Sequence, residues 1–552
     1  MANRSTVFLD GESLTVEQVA GVARRRWSVA LTPAARARMG AGCRALDEIL
    51  DRRGRIYGVT TGFGALQGRP IGPHQLEQLQ RDLVRSHAAG VGPPLPDDVV
   101  RAMLVVRINA LAKGASGVRP QTVDLLVEML NRNVLPVVPV QGSLGASGDL
   151  AQLAHVALAL LGEGEARLDG ELLPAAVALR RAGLQPLPAF GPKEALALVN
   201  GTAAMAGGLA LAVADARVLA DAADVAGALS FAALGGLPSA FDPAVHDLRP
   251  HPGQRLVAAR LRRLIEGTES RARAAAPACL GEWARRVQDA YSLRCMPQVH
   301  GASRDTLAFV ERTLSVELNA ATDNPLIVFA ESDYPSTGFA DTSVPRDDSA
   351  RSPVRAVPRL VCQGNFHGQP LAFAADFLAI ALAELASIAE RRIAQLLAGR
   401  AGLPLFLAPA GTKSGYMIAQ YTAAALVSEN KGLCHPASVD SIPSSADQED
   451  HVSMGWTAVR KLRPLVENVS RTLAIELCTA ARALDLRQHQ PWWHLRLGPP
   501  LAAAYAHVRT HGPATLDDEP LHPHFEAIHH LLLQGALAAA VEPLLVELAV
   551  AS

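Results

Sequence analysis

The sequence predicts a mainly α-helical protein: a smaller mixed N-terminal region, then a long central helical bundle and a C-terminal helical part. Three observations predict it. The 552 residues are 49% hydrophobic but only 4% aromatic, and alanine and leucine dominate, a composition that favours closely packed helices over a β-sandwich. From Lys193 onward, long stretches carry apolar residues at helical spacing. Several of these stretches are apolar on most faces, which places them inside a bundle or an oligomer core. The divisions expected are 1–200, 201–485 with a surface-loop insertion at 331–359, and 486–552.

The elements follow in chain order. The N-terminus, MANRSTVFLDGESLTVEQVA, has no apolar core of signal-peptide type, so no export is expected. Short helical patterns then alternate with glycine- and proline-rich turns, such as Tyr57-Gly58-Val59-Thr60-Thr61-Gly62-Phe63-Gly64. β-Branched residues and prolines over 134–140 predict extended chain. The run Gly142-Ser143-Leu144-Gly145-Ala146-Ser147-Gly148 leads to Asp149, a candidate helix N-cap or first-turn acid, ahead of Leu150, Leu153, Val156 and Leu160 at helical spacing. Helices are expected over 371–392 and 456–484, with a break at 430–436. Residues 331–359 are rich in Pro, Ser, Asp and Arg and predict a surface excursion. A second loop is expected at 488–500, carrying Trp492 and Trp493. The apolar run 225–241 is interrupted by Gly, Ser and Pro, and no clean membrane span is read.

Charge and cysteine usage narrow the function. Lys and Arg total 52 against 53 Asp and Glu, a formal net charge of −1. Nucleic-acid backbones and anionic membranes both select for dense basic residues, so neither is the expected partner. The 6 cysteines lie far apart with no C-x-x-C pair, which argues against a disulfide framework or zinc ribbon and for a reducing cytoplasm. They read as core filler. His522, His524, His529 and His530 beside Glu526 read as a polar helix face, and no metal site is expected.

The glycine-rich run at 142–148 carries the chemistry. It is no phosphate-binding loop, since no Gly-Lys-Ser/Thr closes it, and no nucleophile elbow, since Gly148 directly follows Ser147. A plain strand-to-helix turn is the bland reading. The chemical reading is that Ala146-Ser147-Gly148 cyclises on itself. The unhindered Gly148 nitrogen attacks the Ala146 carbonyl, and loss of two waters leaves a methylidene-imidazolone (MIO) ring with an electrophilic methylene.

The company of this tripeptide decides between the readings. Residues 142–151 resemble the prosthetic-group segment of the aromatic amino-acid ammonia-lyase family. So do Tyr57–Gly64, Asn200-Gly201-Thr202, Gln288–Arg294, Thr322-Asp323-Asn324-Pro325-Leu326, Gly364-Asn365-Phe366-His367 and Ser438–Pro443. These run in family order over most of the chain. Ser86-His87 and Gln448-Glu449-Asp450-His451 stand at positions that vary with substrate, and both suit an imidazole, whose ring needs hydrogen-bond partners. Ala203, Met296, Gln369 and Asp447 depart from the family's usual residues without removing a catalytic group.

The resemblance implies elimination of ammonia from L-histidine to give trans-urocanate, with a self-formed MIO, no external cofactor and a homotetramer with shared active sites. It implies Tyr57 as the base for the β-proton, a phenol whose ordinary pKa of about 10 must be lowered by positive surroundings. Arg294 would clamp the carboxylate bidentately. Asn200, Gln288 and Tyr291 would orient the carboxylate and the MIO oxygen, and Phe366 would stack near the MIO or the ring. His87 would contact the imidazole, and Glu449 would handle the amine or the imidazole proton. Two other readings stay open: an MIO lyase or 2,3-aminomutase for phenylalanine or tyrosine, and a non-catalytic helical assembly protein.

Overall fold

The computed structural model describes residues 5–51, 61, 72, 75–273, 280, 283, 285–329, 358–408, 411–512 and 517–551. Tyr57 and most of the 331–359 segment fall outside them. The predicted helical class holds, and strands are short and few among the described residues. The chain forms two compact units, each assembled from three separate stretches.

The first unit comprises 1–211, 312–375 and 436–460. Its centre is the helix Asp97–Ala112, in which every residue from Val99 to Ala112 is buried, Arg101, Arg107 and Asn109 included. A helix covered on all faces needs apolar residues all round, and the run of Val, Met, Leu and Ile provides them. Helix Leu150–Leu160 packs beside Leu76–His87 and Glu194–Val199. The extended segment expected at 134–140 splits in two. Val134–Pro136 joins a three-stranded antiparallel sheet with Glu165–Leu168 and Glu171–Pro174, and Pro139–Gln141 pairs with Val91–Pro94.

The second unit comprises 212–311, 376–435 and 461–552. Its helices Met417–Leu433 and His522–Leu533 both pack on Leu462–Gln488. Charge is buried here in pairs. Arg392 donates from Nε and Nη2 to the Glu476 carboxylate at 2.5 and 2.8 Å. Asp224 accepts from Arg260 Nε at 3.1 Å and Arg304 Nη2 at 2.6 Å, and lies 2.8 Å from His300 Nδ1. Burial alone would raise the Asp224 pKa, but Arg304, His300 and Arg260 hold it at about 2.

Several local expectations are corrected. The helix expected over 456–484 is two, Gly455–Arg460 and Leu462–Gln488, because Pro464 has no N–H to bond back to Arg460. Residues 488–500 hold a strand, Trp493–Arg496, antiparallel to Glu269–Ala272. Trp493 is buried there, its Nε1 donating to Ser270 Oγ at 3.0 Å. Two helices, Ala203–Leu234 and Gln369–Leu397, are long and apolar enough to cross a membrane by length and composition, where the sequence reading found none. Inside the protein, 72% and 67% of their most apolar windows are buried. The reading missed the first because the 225–241 run straddles the end of that helix. Cys362 is exposed, not core filler. Among the described residues no group of three His, Cys, Asp or Glu could hold a metal.

Candidate active site

The glycine-rich run lies in the first unit between strand Pro139–Gln141 and helix Leu150–Leu160. It is tied down from several sides. Ala146 is buried against Val452 and Met454, the Met454 N–H donates to Leu144 O at 2.8 Å, and Ser453 Oγ donates to Gly145 O at 3.2 Å. Gly148 has φ +76° and forms a parallel bridge with Gly201. A β-carbon on Gly148 would stand 2.0 Å from the Gly201 carbonyl oxygen, so only glycine fits.

Asp149 occupies the N-cap position of helix Leu150–Leu160 but makes no side-chain cap there, which corrects the expectation. Its Oδ2 instead accepts from the Ala204 and Met205 N–H groups at 2.8 and 2.9 Å, capping the helix that follows Asn200-Gly201-Thr202. The cap therefore fastens the cyclising segment to that turn. Burial raises the Asp149 carboxyl to about 7.

The Ser147 carbonyl oxygen accepts two N–H groups, Asn200 Nδ2 at 3.1 Å and Gly201 N at 3.3 Å. In ring closure the Ala146 oxygen leaves as water, so Ser147 O is the carbonyl oxygen that would remain on the ring. The residues present thus fit an MIO: a tripeptide with an unhindered third nitrogen, and paired donors on the surviving oxygen.

In front of the tripeptide lies a cavity of about 1020 Å³, lined by His87, Ala146, Ser147, Leu196, Asn200, Phe366 and Glu449 among others. Six sequence-predicted residues thereby meet. His87 ends helix Leu76–His87, and its Nδ1 lies 2.8 Å from the Leu83 carbonyl oxygen one turn back, which also accepts from Ser86 Oγ at 3.0 Å. That nitrogen therefore carries the hydrogen, and Nε2 of the neutral ring keeps a lone pair. Burial lowers the His87 pKa, although the Leu83 contact and the nearby Glu449 work against it.

Glu449 is presented by a tight turn. Ser444 and Glu449 exchange backbone hydrogen bonds at 2.9 and 3.2 Å, and the intervening Ser445, Ala446 and Asp447 all have positive φ, 52°, 51° and 64°. Asp tolerates this region better than most residues, so Asp447 suits its place. The Glu449 carboxylate accepts from Ser444 Oγ at 3.1 Å, and Ser147 Oγ reaches it at 3.5 Å.

Other predicted residues lie elsewhere. Gln288, Tyr291 and Arg294 belong to the second unit, where the Arg294 guanidinium stacks 4.8 Å from the Tyr291 ring centroid. Tyr57 lies outside the described residues. Sequence reasoning missed two cavity residues, His367 and His451, whose rings stack at 5.3 Å. His367 Nε2 lies 3.3 Å from both His451 Nδ1 and His451 O, so it is the donor and His451 Nδ1 accepts. Both stood inside quoted motifs, and only their fold-level meeting marks them as a pair.

The chain is similar to several known proteins. A family model described as aromatic amino acid lyase matches residues 14–510. A histidine ammonia-lyase of Anaeromyxobacter sp. (strain K) is 50% identical over 541 residues, covering 96% of this chain and 99% of that protein. The crystal structure of histidine ammonia-lyase from Trypanosoma cruzi superposes with a TM-score of 0.84 at 40% identity, covering 98% of this chain and 95% of that one. A tyrosine aminomutase from Streptomyces globisporus reaches 0.85 at 37% identity, covering 98% of both. Tripeptide, clamped turn and family match agree: the chain belongs to the aromatic amino acid lyase family.

Proposed function

We propose that this protein is a histidine ammonia-lyase, eliminating ammonia from L-histidine to give trans-urocanate. The observation that carries the reading is the meeting of His87, Ser147, Asn200 and Glu449 around one cavity, in a chain half identical to a protein of that activity. The family depends on MIO in general, and here Ala146-Ser147-Gly148 would form it without an external cofactor. When formed, that ring supplies an electrophilic methylene that takes up the substrate amine and makes it a better leaving group.

The chain's own residues do the rest. Asn200 Nδ2 and Gly201 N hold Ser147 O and draw electron density from the cyclised segment. His87, neutral through burial, offers the Nε2 lone pair to an imidazole N–H. Glu449 receives the substrate amine or the second imidazole nitrogen, and Phe366 walls the ring side. Tyr57 removes the β-proton, and Arg294, with Gln288 and Tyr291, holds the carboxylate. The working form is a homotetramer with shared active sites, in the cytoplasm.

Because the same scaffold carries a tyrosine aminomutase, the deciding experiment separates products. Purified protein is given L-histidine, L-phenylalanine or L-tyrosine, and the products are resolved chromatographically. Urocanate from histidine, lost in Ser147→Ala, is the expected result. A β-amino acid, or an unsaturated acid formed faster from phenylalanine or tyrosine, would overturn the substrate assignment.

A further inference from the structure

Arg107 lies in helix Asp97–Ala112, within its buried stretch from Val99 to Ala112, at 1% exposure. Among the described residues, its Nε, Nη1 and Nη2 have no hydrogen-bond partner. A buried guanidinium in that state is costly, and among the described residues neither carboxylate that acts on it, Asp323 or Asp149, hydrogen-bonds to it. Asp323 accepts from Ser116 Oγ and from the buried Lys193 Nζ, each at 2.7 Å. Asp149 Oδ2 caps Ala204 and Met205, while its Oδ1 is likewise buried without a hydrogen-bond partner among the described residues.

What Arg107 does meet is the backbone of Gly201. A β-carbon built there would stand 2.6 Å from Arg107 Nη1 and 2.7 Å from Thr322 Oγ1. The same glycine presses on Gly148, gives its N–H to Ser147 O and takes the Asp149 N–H at 2.7 Å. Guanidinium, Gly201 and the tripeptide are therefore stacked with no room for a side chain between them. One residue separates a fixed positive charge from the segment that must close on itself.

We propose that Arg107 is a positioning residue for MIO formation, backing the Gly201 clamp and supplying the positive potential under which the ring closes. The inference rests on the MIO reading. In closure the Gly148 nitrogen lone pair forms the bond to the Ala146 carbonyl carbon, and the π pair moves to oxygen. The Gly148 proton passes to that oxygen, which leaves as water with the Ser147 N–H proton as the C=N bond forms. The Ser147 hydroxyl leaves with its Cα hydrogen as the second water. No oxidant or reductant is needed. Negative charge develops on the Ala146 oxygen in the first step, and a buried cation one residue away stabilises it through low-dielectric protein.

The test reads the cyclised fraction directly. Wild-type, Arg107→Lys and Arg107→Met chains are purified, their folding is checked by circular dichroism and melting temperature, and intact masses are followed in time after synthesis. Wild type should be lighter than its sequence by two waters. Arg107→Met should lose them at least about tenfold more slowly, with Arg107→Lys in between, since it keeps the charge and loses the contact. A folded Met or Lys variant that sheds both waters at the wild-type rate overturns the proposal, and Lys alone decides it should Met fail to fold. A wild type that keeps both waters is a different result: it removes the MIO reading itself.

Discussion

Asn200 holds Ser147 through one half of its amide and leaves the other half open: Nδ2 donates to the Ser147 carbonyl oxygen at 3.1 Å, while Oδ1 is buried without a hydrogen-bond partner among the described residues. The donor serves the tripeptide. Replacing Asn200 by Ala removes it. The expected loss in kcat, corrected for the cyclised fraction by intact mass, is about 10²–10³-fold, as for one oxyanion-hole donor. A loss below about tenfold would leave Gly201 N as the donor that matters.

Tyr57→Phe keeps the ring and removes the phenol. If Tyr57 is the base, substrate binding persists while turnover drops by about 10²–10⁴-fold. The check is single-turnover kinetics beside equilibrium binding of L-histidine. A drop of less than about tenfold would make Tyr57 a packing residue.

His87 and Glu449 should set substrate choice. A site built to hydrogen-bond a ring N–H penalises a substrate without one, because its own buried groups go unpaired at about 1–3 kcal/mol each. His87→Leu and Glu449→Gln should therefore raise the ratio of kcat/KM for phenylalanine over histidine, by roughly ten- to a hundredfold. Equal losses on both substrates would show that these side chains only hold the turn and the helix end.

The buried cluster around Asp224 predicts a pH signature. Its native pKa of about 2 lies below the ordinary 3.8, so the folded state binds fewer protons than the unfolded one between those values. The stabilisation is fully present above pH 4 and is lost as pH falls toward 2. Asp224→Asn takes one carboxylate from Arg260 and Arg304, which keep Asp221 and Glu542 as partners, and at pH 7 should cost about 1–3 kcal/mol. Chemical denaturation of both proteins from pH 7 down to pH 2.5 should show the gap shrinking. A constant gap would mean that the carboxylate's charge is not what holds the cluster.

The motifs that meet at the candidate site were legible because each is a contiguous string. The tripeptide, the Asn-Gly-Thr turn and the acid before Asp450 are short strings, each with a bland reading alone, and it is their succession in family order that gives them meaning. What the sequence hid is long-range. Asp149 looked like the cap of its own helix because spacing reports only nearby partners, yet its carboxylate reaches residues 204 and 205. His367 and His451 are 84 positions apart and become a pair only when two motifs fold together. The two units are each stitched from three stretches, so no shift in composition marks their edges. Helix lengths suffered likewise, since Pro464 sat within an apolar period that continued past it.

The turn that presents Glu449 carries a consequence for anyone who engineers this scaffold. Three successive non-glycine residues in the left-handed region each store about 1–3 kcal/mol of strain, and a screen for thermostability will find that reserve early. Glycine at Ala446 or asparagine at Ser445 relaxes the backbone at once. The same relief frees the carboxylate to wander, so selection for heat resistance alone would drift toward sturdier and slower proteins. Libraries should hold 444–449 fixed and draw their gains from elsewhere.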